Sequence, residues 1–361
     1  MIKSFDEVFE DVTKLGVKVK TDEYHPIGKY QIIDQGQEAV AGYSDLEDGV
    51  FENVPAIVFG DHTRIVKYVD QPFFLGADGV KVLRSRFKDA NYRYLYYALK
   101  SVKIPNTGYN RHFKWLKEAK IYYPNSEEQS KIVSILDGIS SVIEHRRQEL
   151  QKLDELVKAR FVEMFGDGNH PHIALIDLII EGAGLSYGIV QPGDDGTGDM
   201  GVLRPVDMVD GKISTASIKY IDRSIGDGFK KTELYGDELL ITVRGTTGIT
   251  ALTDIRFNGM NVTRGIAVVR YDRNKINPVY LNAYLNTDES QRYIQEHTRG
   301  ATLQQINLSD LRVQQIMVPP LALQEQMAAF IEQTDKSKVV VQKALDEAQT
   351  LFDSLMQEYF G

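Results

Sequence analysis

The 361-residue sequence predicts an α+β protein in which two mixed α/β globular segments alternate with two long helices. Three observations indicate this: a repeat within the chain, helical spacing of apolar residues in the repeat, and strand-like runs between its copies. The predicted order is a globular segment at 1–121, a helix at 122–166, a globular segment at 167–316 and a helix at 317–361. We expect the two helices to pair as an antiparallel coiled coil.

The repeat joins residues 124–166 to residues 319–361, which align without a gap at a constant offset of 195. Identical pairs are Pro124 with Pro319, Gln129 with Gln324, Leu150 with Leu345 and Phe165 with Phe360. Apolar positions just before each helix match at the same offset: Phe113, Leu116 and Ile121 with Leu308, Leu311 and Ile316. The duplication therefore extends into the globular segments.

Each copy has the features of a long helix. A proline opens it, apolar residues follow at three- and four-residue spacing, and a glycine ends it. About 38 helical residues at roughly 1.5 Å each give a rod of about 57 Å. Because most helical stability in proteins comes from packing an apolar stripe, two such stripes in one chain are expected to pack on each other.

The first globular segment begins with MIKSFDEVFEDVTKL, which predicts a short amphipathic helix. Strand-like runs separated by turns follow, namely YQIID, VPAIVFGD, RIVKYV and VKVLRSRF. Residues 92–99 predict a helix that packs on this sheet, and residues 106–112 form a polar loop ahead of the first long helix.

The second globular segment has the same kind of pattern. Its strand candidates are VLRPVDM, ISTASIKYI, ELLITVR and GIAVVRY. Arg244-Gly245-Thr246-Thr247-Gly248 comes directly after one of them, and Tyr280 to Leu285 matches Tyr94 to Leu99 in spacing. The two segments are therefore predicted to be related in architecture.

Composition and charge narrow the function classes. The chain is 42% apolar and has no cysteine, which excludes disulfides, thiolate metal sites and a cysteine nucleophile. It has no run of 18 apolar residues, and we expect a soluble cytoplasmic protein without membrane contact. The net charge is −9, of which the two helical repeats contribute −2 and −4, so −3 is left for the globular segments. The acidity is concentrated on the helices.

No constellation of residues indicates catalysis. The sequence lacks an [ND]PP[YF] motif for amino-methylation, a P-loop and a dinucleotide-binding glycine motif. Glu118-Ala119-Lys120 and Asp210-Gly211-Lys212 fit the acid-x-Lys half of a nuclease site, but the second is better interpreted as a turn between strands. We expect no catalytic, metal-binding or cofactor-binding residues on this chain.

Binding chemistry is concentrated in polar turns that combine arginine, hydroxyl and amide groups with exposed backbone N–H groups. Such turns can hold phosphate oxygens or reach base edges, although each alone is more often a hydrated surface turn. In the second segment the candidates are Arg244, Thr246, Thr247, Asn261, Thr263, Arg264, Arg299 and Thr302. In the first segment they are Arg84, Arg86, Tyr109, Asn110, Arg111, His112 and Lys114.

The sequence resembles the specificity subunit of a type I restriction–modification system. The resemblance is carried by the Pro-x4-Gln entries into helices ending in Phe-Gly, and by LRPVDMVDGKI, GDELLITVRGTTG and GATLQQINLSDL in family order. It implies two target recognition domains, each reading one half of a split site in double-stranded DNA. It also implies a helical spacer that docks two methyltransferase subunits, alongside restriction/translocase subunits, with S-adenosylmethionine, ATP and Mg²⁺ bound by those partners. One departure is Gly60-Asp61-His62-Thr63, where the family often has a Gly-Thr-x-Gly turn.

Two other classes remain open from the residues alone. One is an enzyme with its own nuclease or methyltransferase site, which the missing motifs disfavour. The other is a scaffold whose two modules bind proteins on a coiled-coil rod, without DNA recognition.

Overall fold

The computed structural model describes residues 1–76, 78–108, 110–193, 196, 198–209 and 211–361. Two residues singled out from the sequence, the predicted binding residue Tyr109 and the predicted turn residue Asp210, lie outside the described residues. The chain forms two compact units, residues 1–148 with 341–361 and residues 149–340. Each long helix is divided between the two units. None of the helices in the described ranges is long and apolar enough to cross a membrane.

The first unit contains mixed helix and strand. Its strands are β1 Ile2–Ser4, β2 Phe9–Asp11, β3 Tyr30–Ile33, β4 Gly42–Ser44, β5 Ala56–Gly60, β6 Val66–Val69, β7 Phe73–Leu75, β8 Val80–Ser85 and β9 Lys120–Tyr122. Its helices are α1 Phe5–Val8, α2 Tyr92–Lys100, α3 Phe113–Lys117 and the first part of α4, Ser126–Phe165. The four strand-like runs of the sequence correspond to β3, β5, β6 and β8.

The main sheet of the first unit has the order β2-β8-β5-β6, and a second sheet has the order β4-β3-β7. The antiparallel register places Ile57 opposite Leu83 and Gly60 opposite Val80. Helix α2 buries Tyr94, Tyr97 and Leu99, and these residues share a core with Phe5 and Phe9. The predicted packing of residues 92–99 on the sheet is confirmed.

The prediction of an amphipathic helix over residues 1–15 is wrong. Only Phe5–Val8 is helical, because Ile2–Ser4 pairs with β9 and Phe9–Asp11 pairs with β8. In these ladders the backbone groups on both sides of α1 form hydrogen bonds with neighbouring strands. This strand pairing outweighs the local preference for a helix. The helical spacing of Phe5, Val8 and Phe9 reflects one turn that buries all three side chains.

The second unit repeats the same mixture. Its strands are β10 His172–Ala174, β11 Met200–Leu203, β12 Met208–Val209, β13 Lys212–Ile213, β14 Lys219–Ile221, β15 Leu239–Leu252, β16 Asn261–Val262, β17 Ile266–Val269, β18 Gln304–Gln305 and β19 Gln315–Met317. Its helices are α5 Pro278–Leu285, α6 Asp288–His297, α7 Leu308–Val313 and the first part of α8, Leu321–Phe360. Its sheet orders are β17-β15-β18, β14-β11-β16, β12-β13 and β10-β19. The run VLRPVDM is split into β11 and β12 by a 3₁₀ turn at Pro205–Asp207.

A buried tyrosine makes the same type of hydrogen bond in each of the two units. Tyr94 donates a hydrogen bond to the Tyr122 carbonyl (2.6 Å), and Tyr280 donates one to the Met317 carbonyl (3.0 Å). Both carbonyls belong to the strand that leads into a long helix. The offset of 195 between Tyr122 and Met317 is the offset of the sequence repeat.

The proline and glutamine shared by the starts of the two long helices have a structural reason. Gln129 donates its side-chain amide to the Pro124 carbonyl at 3.0 Å, and Gln324 does the same to the Pro319 carbonyl at 2.7 Å. Both glutamines are buried. A buried carbonyl that precedes a helix needs a donor, and a glutamine five residues later supplies it.

The phenylalanine near the end of each repeat is also structural. In the first unit Phe360 packs on Tyr94, with ring centroids 5.5 Å apart. In the second unit Phe165 packs on Tyr280 at 5.3 Å. Each unit therefore contains the beginning of one long helix and the end of the other, and both contribute to its core.

Candidate nucleic-acid interface

Strand β15 carries the Arg244–Gly248 segment in a tight reversal of the chain. The Thr253 N–H donates to the Glu238 carbonyl at 2.8 Å, so the two ends of β15 lie side by side. The strand must therefore fold back on itself between them. Gly248 has a φ of +89°, a backbone conformation that residues with a Cβ rarely adopt. The sequence prediction of a tight turn here is confirmed.

Two further loops meet this turn. Strand β18 pairs with it, with Arg244 opposite Gln305 and Gly245 opposite Gln304. The Val243 N–H donates to the Gly265 carbonyl at 2.8 Å, which brings the residue after Arg264 beside the residue before Arg244. Loops 244–248, 263–265 and 299–305 therefore lie together at one end of the sheet. We call the exposed or half-exposed members of these loops the arginine surface: Arg244, Thr246, Arg264, Arg299, Thr302 and Gln304.

The arginine surface has cations that the protein does not neutralise. Arg299 is 72% exposed and lies 3.8 Å from the Asp310 carboxylate, a loose ion pair. Among the residues that the structure describes, neither Arg244 nor Arg264 has a side-chain hydrogen bond or ion pair. Unpaired guanidinium groups can bind phosphate oxygens or the O6 and N7 atoms of guanine in two-pronged fashion.

Thr247 does not belong to the exposed surface. Its side chain is 5% exposed, and its hydroxyl lies 2.9 Å from that of Thr298. The Thr298 hydroxyl donates to the Ile294 carbonyl at 2.8 Å, so its remaining role is to accept from Thr247. This relay fastens the turn to the end of α6, and the contribution of Thr247 is to hold the turn in place.

Asn261 and Thr263 were predicted to lie on an exposed polar turn, but neither side chain is exposed. Asn261 is 1% exposed, and its side-chain oxygen accepts from the Thr232 hydroxyl at 2.8 Å. It therefore ties loops together in the interior. Thr263 is half-buried, with its N–H bonded to the Leu203 carbonyl at 2.9 Å. Of this group, only Arg264 is exposed.

In the first unit a polar turn joins β5 to β6. Asp61 in this turn is 3% exposed, and its carboxylate accepts from the Phe113 N–H at 2.7 Å. His112 is fully buried, and its Nδ1 lies 3.0 Å from the Asp61 carbonyl. A carbonyl only accepts, so Nδ1 carries the proton. Asp61 and His112 thus join the turn to the loop that precedes α3.

The exposed candidate binding residues of the first unit surround the contact between Asp61 and His112. Asn110, Arg111 and Lys114 are all exposed, and the Asn110 carbonyl lies 3.2 Å from His62 Nδ1. The pKa of Asp78 is lowered, mainly by its hydrogen bond from Lys18 and in a smaller part by the charge of Arg111. Lys114 lies over the Trp115 ring, 5.0 Å from its centroid. Loop 110–114 and turn 61–63 form one polar surface.

Arg84 and Arg86 lie elsewhere. Arg84 is bound to Glu10 at 2.7 Å, and the Arg86 Nε donates to the Asp6 carbonyl at 2.8 Å. The register places Gly60 opposite Val80, four residues along β8 from Arg84. Four residues span about 13 Å of strand. The structure does not bring these two arginines to the turn, and both have protein partners.

Two glutamines beside the turns were missed by the sequence analysis. Gln35 accepts from the His62 N–H at 3.2 Å, and its carbonyl accepts from the Thr63 hydroxyl at 2.6 Å. Gln304 pairs with Gly245 through β18. No sequence signal marks them, because their positions depend on strand pairing. No group of three or more His, Asp or Glu side chains suited to a metal ion occurs in the described ranges.

Two α/β units of one architecture each present a polar turn. One of them also carries three arginines, two of which have no side-chain partner among the described residues. These features indicate a modular binding protein. The chain belongs to the family described as type I restriction modification DNA specificity domain, whose model matches residues 2–155 and 199–348. The resemblance noted from the sequence is thereby confirmed. The first match covers the first globular segment and the first part of α4, and the second covers most of the second globular segment and the first part of α8.

Curated relatives agree with this assignment. The chain is similar to the type I restriction enzyme EcoBI specificity subunit of Escherichia coli, 24% identical over 180 residues, which cover 49% of this chain and 38% of that protein. It is also similar to the EcoR124I/EcoR124II specificity subunit of Escherichia coli, 26% identical over 155 residues, or 39% of this chain and 38% of that protein. The similarity thus spans well under half of each relative.

Solved structures share the fold over the whole chain. The S subunit of a type I restriction–modification system from M. genitalium matches with a TM-score of 0.58 and 17% identity, covering 100% of this chain and 96% of that one. A chain from a structure of complex assembly and conformational transition in the type I R-M system matches with a TM-score of 0.52 and 15% identity, covering 100% and 97%.

Proposed function

We propose that this chain is the sequence-specific DNA-recognition subunit of a type I restriction–modification complex. Each unit reads one half of a split site in double-stranded DNA. The observation that carries this proposal is the presence of two matches to a DNA specificity domain in one chain, each on a unit with its own polar turn. The turns differ in sequence, Gly60-Asp61-His62-Thr63 against Arg244-Gly245-Thr246-Thr247-Gly248, so the half-sites differ and the site is asymmetric.

The arginine surface is the DNA contact of the second unit in this proposal. Arg244, Arg264 and Arg299 supply positive charge where the protein offers little compensation. Arginine is the residue that binds both phosphate and guanine with two parallel hydrogen bonds. In the first unit, Asn110, Arg111 and Lys114 have this role, since all three are exposed beside the turn.

The two long helices form the spacer and the docking site for partners. We propose that they pair as an antiparallel coiled coil, because each unit contains the start of one and the end of the other. Exposed apolar side chains remain on both helices: Val142, Leu156 and Val162 on α4, and Val339, Val340 and Leu351 on α8. Such side chains suit contact with two methyltransferase subunits and the restriction/translocase subunits. Those partners bind S-adenosylmethionine, ATP and Mg²⁺, and this chain is not itself catalytic.

The test is a methylation map. The chain is expressed with its cognate methyltransferase subunit in a host without DNA methylation, and modified bases are located by single-molecule sequencing. We expect one two-part asymmetric motif with an unread gap, and no methylation when either protein is expressed alone. Methyl transfer by the purified chain alone, or methylation without any motif, would contradict the proposal.

A variant in each unit assigns the half-sites. Arg264→Ala is expected to change recognition of one half only, and Arg111→Ala of the other half only. Arg256→Ala is a matched control in the second unit, because Arg256 is exposed and pairs with Asp254 at 2.7 Å. If Arg264→Ala and Arg111→Ala affected the same half, the assignment of one unit to one half-site would be wrong.

A further inference from the structure

We infer that Gln304 is a base-reading residue and that the half-site of the second unit contains an adenine that it contacts. This inference rests on the proposed function, since it assigns a role to a residue within the DNA surface of that unit. It adds the identity of a reader and of the base that it selects.

The position of Gln304 follows from strand pairing. Gln304 lies opposite Gly245 in the β15–β18 ladder, and Gln305 lies opposite Arg244. Directly paired residues have Cα atoms about 4.5–5.5 Å apart. Gln304 therefore lies beside the exposed residue at the tip of the turn and next to Thr246, inside the arginine surface.

The backbone at Gln304 is fixed in advance of binding. Arg299 and Gln305 exchange both backbone hydrogen bonds, each 2.8 Å long, which closes the loop 299–305. Gly300 in this loop has a φ of +100°, and a Cβ on it would lie 2.3 Å from the Leu303 carbonyl oxygen. A loop closed in this way loses little conformational entropy when a ligand binds.

The side chain of Gln304 is available, unlike that of its neighbour. It is exposed and has no hydrogen bond to any part of the chain that the structure describes. The Gln305 side chain is half-buried and reaches Asn307 Oδ1 at 3.4 Å. Gln304 is therefore the one of the pair that can bind an external group.

The chemistry of an amide selects the base. A glutamine carries one carbonyl acceptor and one NH₂ donor, so it matches the N6 donor and N7 acceptor of adenine in the major groove. A neutral amide adds little to phosphate attraction, which the surrounding arginines provide. Arg244 and Arg264 thus attract the DNA phosphates, and Gln304 reads the adenine of an A·T pair.

The test exchanges the amide for a carboxylate. A carboxylate accepts from cytosine N4 and cannot donate to adenine N7, so Gln304→Glu should change the preferred base at one position from adenine towards cytosine. Gln304→Ala should relax that position. Selection from duplexes randomised in one half-site, with the assembled chain and methyltransferase subunits, should show roughly a 5- to 150-fold loss of preference for adenine there.

Gln295→Glu is the matched control, because Gln295 is an exposed glutamine on α6 of the same unit. It makes the same charge change and should leave the selected sequence unaltered. If the wild-type complex selects a two-part site and Gln304→Glu weakens all duplexes equally, Gln304 is not a base reader and the inference falls while the proposed function stands. If the wild-type complex selects no sequence at all, the proposed function fails together with it.

Discussion

Two buried tyrosines stabilise the places where the long helices begin. Tyr280 is fully buried and donates to the Met317 carbonyl at 3.0 Å, and Tyr94 makes the equivalent bond to the Tyr122 carbonyl. Burial raises the pKa of both phenols. The Tyr280 hydroxyl and the Met317 carbonyl satisfy each other's hydrogen-bonding needs, because both are buried away from bulk water.

We predict that Tyr280→Phe lowers the free energy of unfolding by about 1–3 kcal/mol, since it leaves a buried carbonyl without its donor. Urea unfolding followed by circular dichroism measures this. Tyr235→Phe serves as control, because Tyr235 is 58% exposed and its ring stays over Arg270 after the change. An equal loss in the two variants would show that the buried hydroxyl has no special role.

The buried tyrosines also predict how stability depends on alkaline pH. Burial raises the pKa of Tyr97 and of Tyr284 to about 12. A group whose pKa is higher in the folded state contributes stability that is complete below its unfolded pKa, about 10 for tyrosine. This stability is lost as the pH rises from there through the folded pKa. We therefore expect the urea midpoint to fall between about pH 10 and about pH 12. The fall should be smaller in Tyr97→Phe, and a midpoint that stays constant over this range would contradict the prediction.

The hydroxyl relay from Thr247 through Thr298 to the Ile294 carbonyl predicts a positioning role. Thr298→Val keeps the shape of the side chain and removes the acceptor of Thr247. We expect weaker binding to the half-site of the second unit, by about 5- to 10-fold for a loss near 1 kcal/mol. Thr298→Ser should restore it. Equal binding by Thr298→Val and wild type would show that the relay does not hold the turn.

At the scale of elements, the turn in β15 is where recognition is expected to be most sensitive. If Arg244 contacts a guanine, Arg244→Ala should cost about 1–3 kcal/mol and relax one position of the site. If it contacts a phosphate, the variant should weaken all sequences alike and reduce the slope of log affinity against log salt by about one. Titration of specific and unrelated duplexes at several salt concentrations separates the two. No effect in either assay would remove Arg244 from the interface.

How far the sequence predicts an element depends on where its partners are. The long helices are predictable because their apolar stripe, proline start and glycine end are all local signals, and the structure has them at Ser126–Phe165 and Leu321–Phe360. The N-terminal element is not, since Ile2–Ser4 finds its partner near residue 120. A local pattern cannot report such a distant ladder.

The same limit applies to the binding residues. Arg264 and Asn261 are three residues apart, yet one is exposed and the other is 1% exposed. Residue type predicts that both can bind a polar ligand, but only the packing of the loop decides which side chain faces outwards. His112 and Thr247 are hidden for the same reason, whereas Gln304 is revealed only by its pairing with Gly245.

At the scale of the whole molecule, the proposed spacer predicts a relation between helix length and DNA gap. Repeating Glu149–Glu155 in α4, with a matching repeat of residues 344–350 in α8, adds seven residues to each helix. Seven residues nearly preserve the phase of an apolar stripe and add about 10.5 Å, which is room for about three base pairs. We expect the methylation map to show both half-sites unchanged and a wider gap.

A single inserted residue is the control for phase. It rotates everything beyond it by about 100° and should abolish assembly with the methyltransferase subunits. Recovery of the original gap from the protein with both longer helices would show that helix length does not determine the gap.

The division of the long helices between the units also has a consequence for the order of synthesis. The second unit is a continuous stretch, residues 149–340, whereas the first needs residues 341–361 in addition to residues 1–148. On the ribosome, the unit that emerges first must therefore wait for Phe352, which lies in its core, and for Phe360, which packs against that core, until the other unit has been made. The N-terminal unit is therefore the last to be completed, and a chain that ended at residue 340 would contain every residue of the second unit but only part of the first.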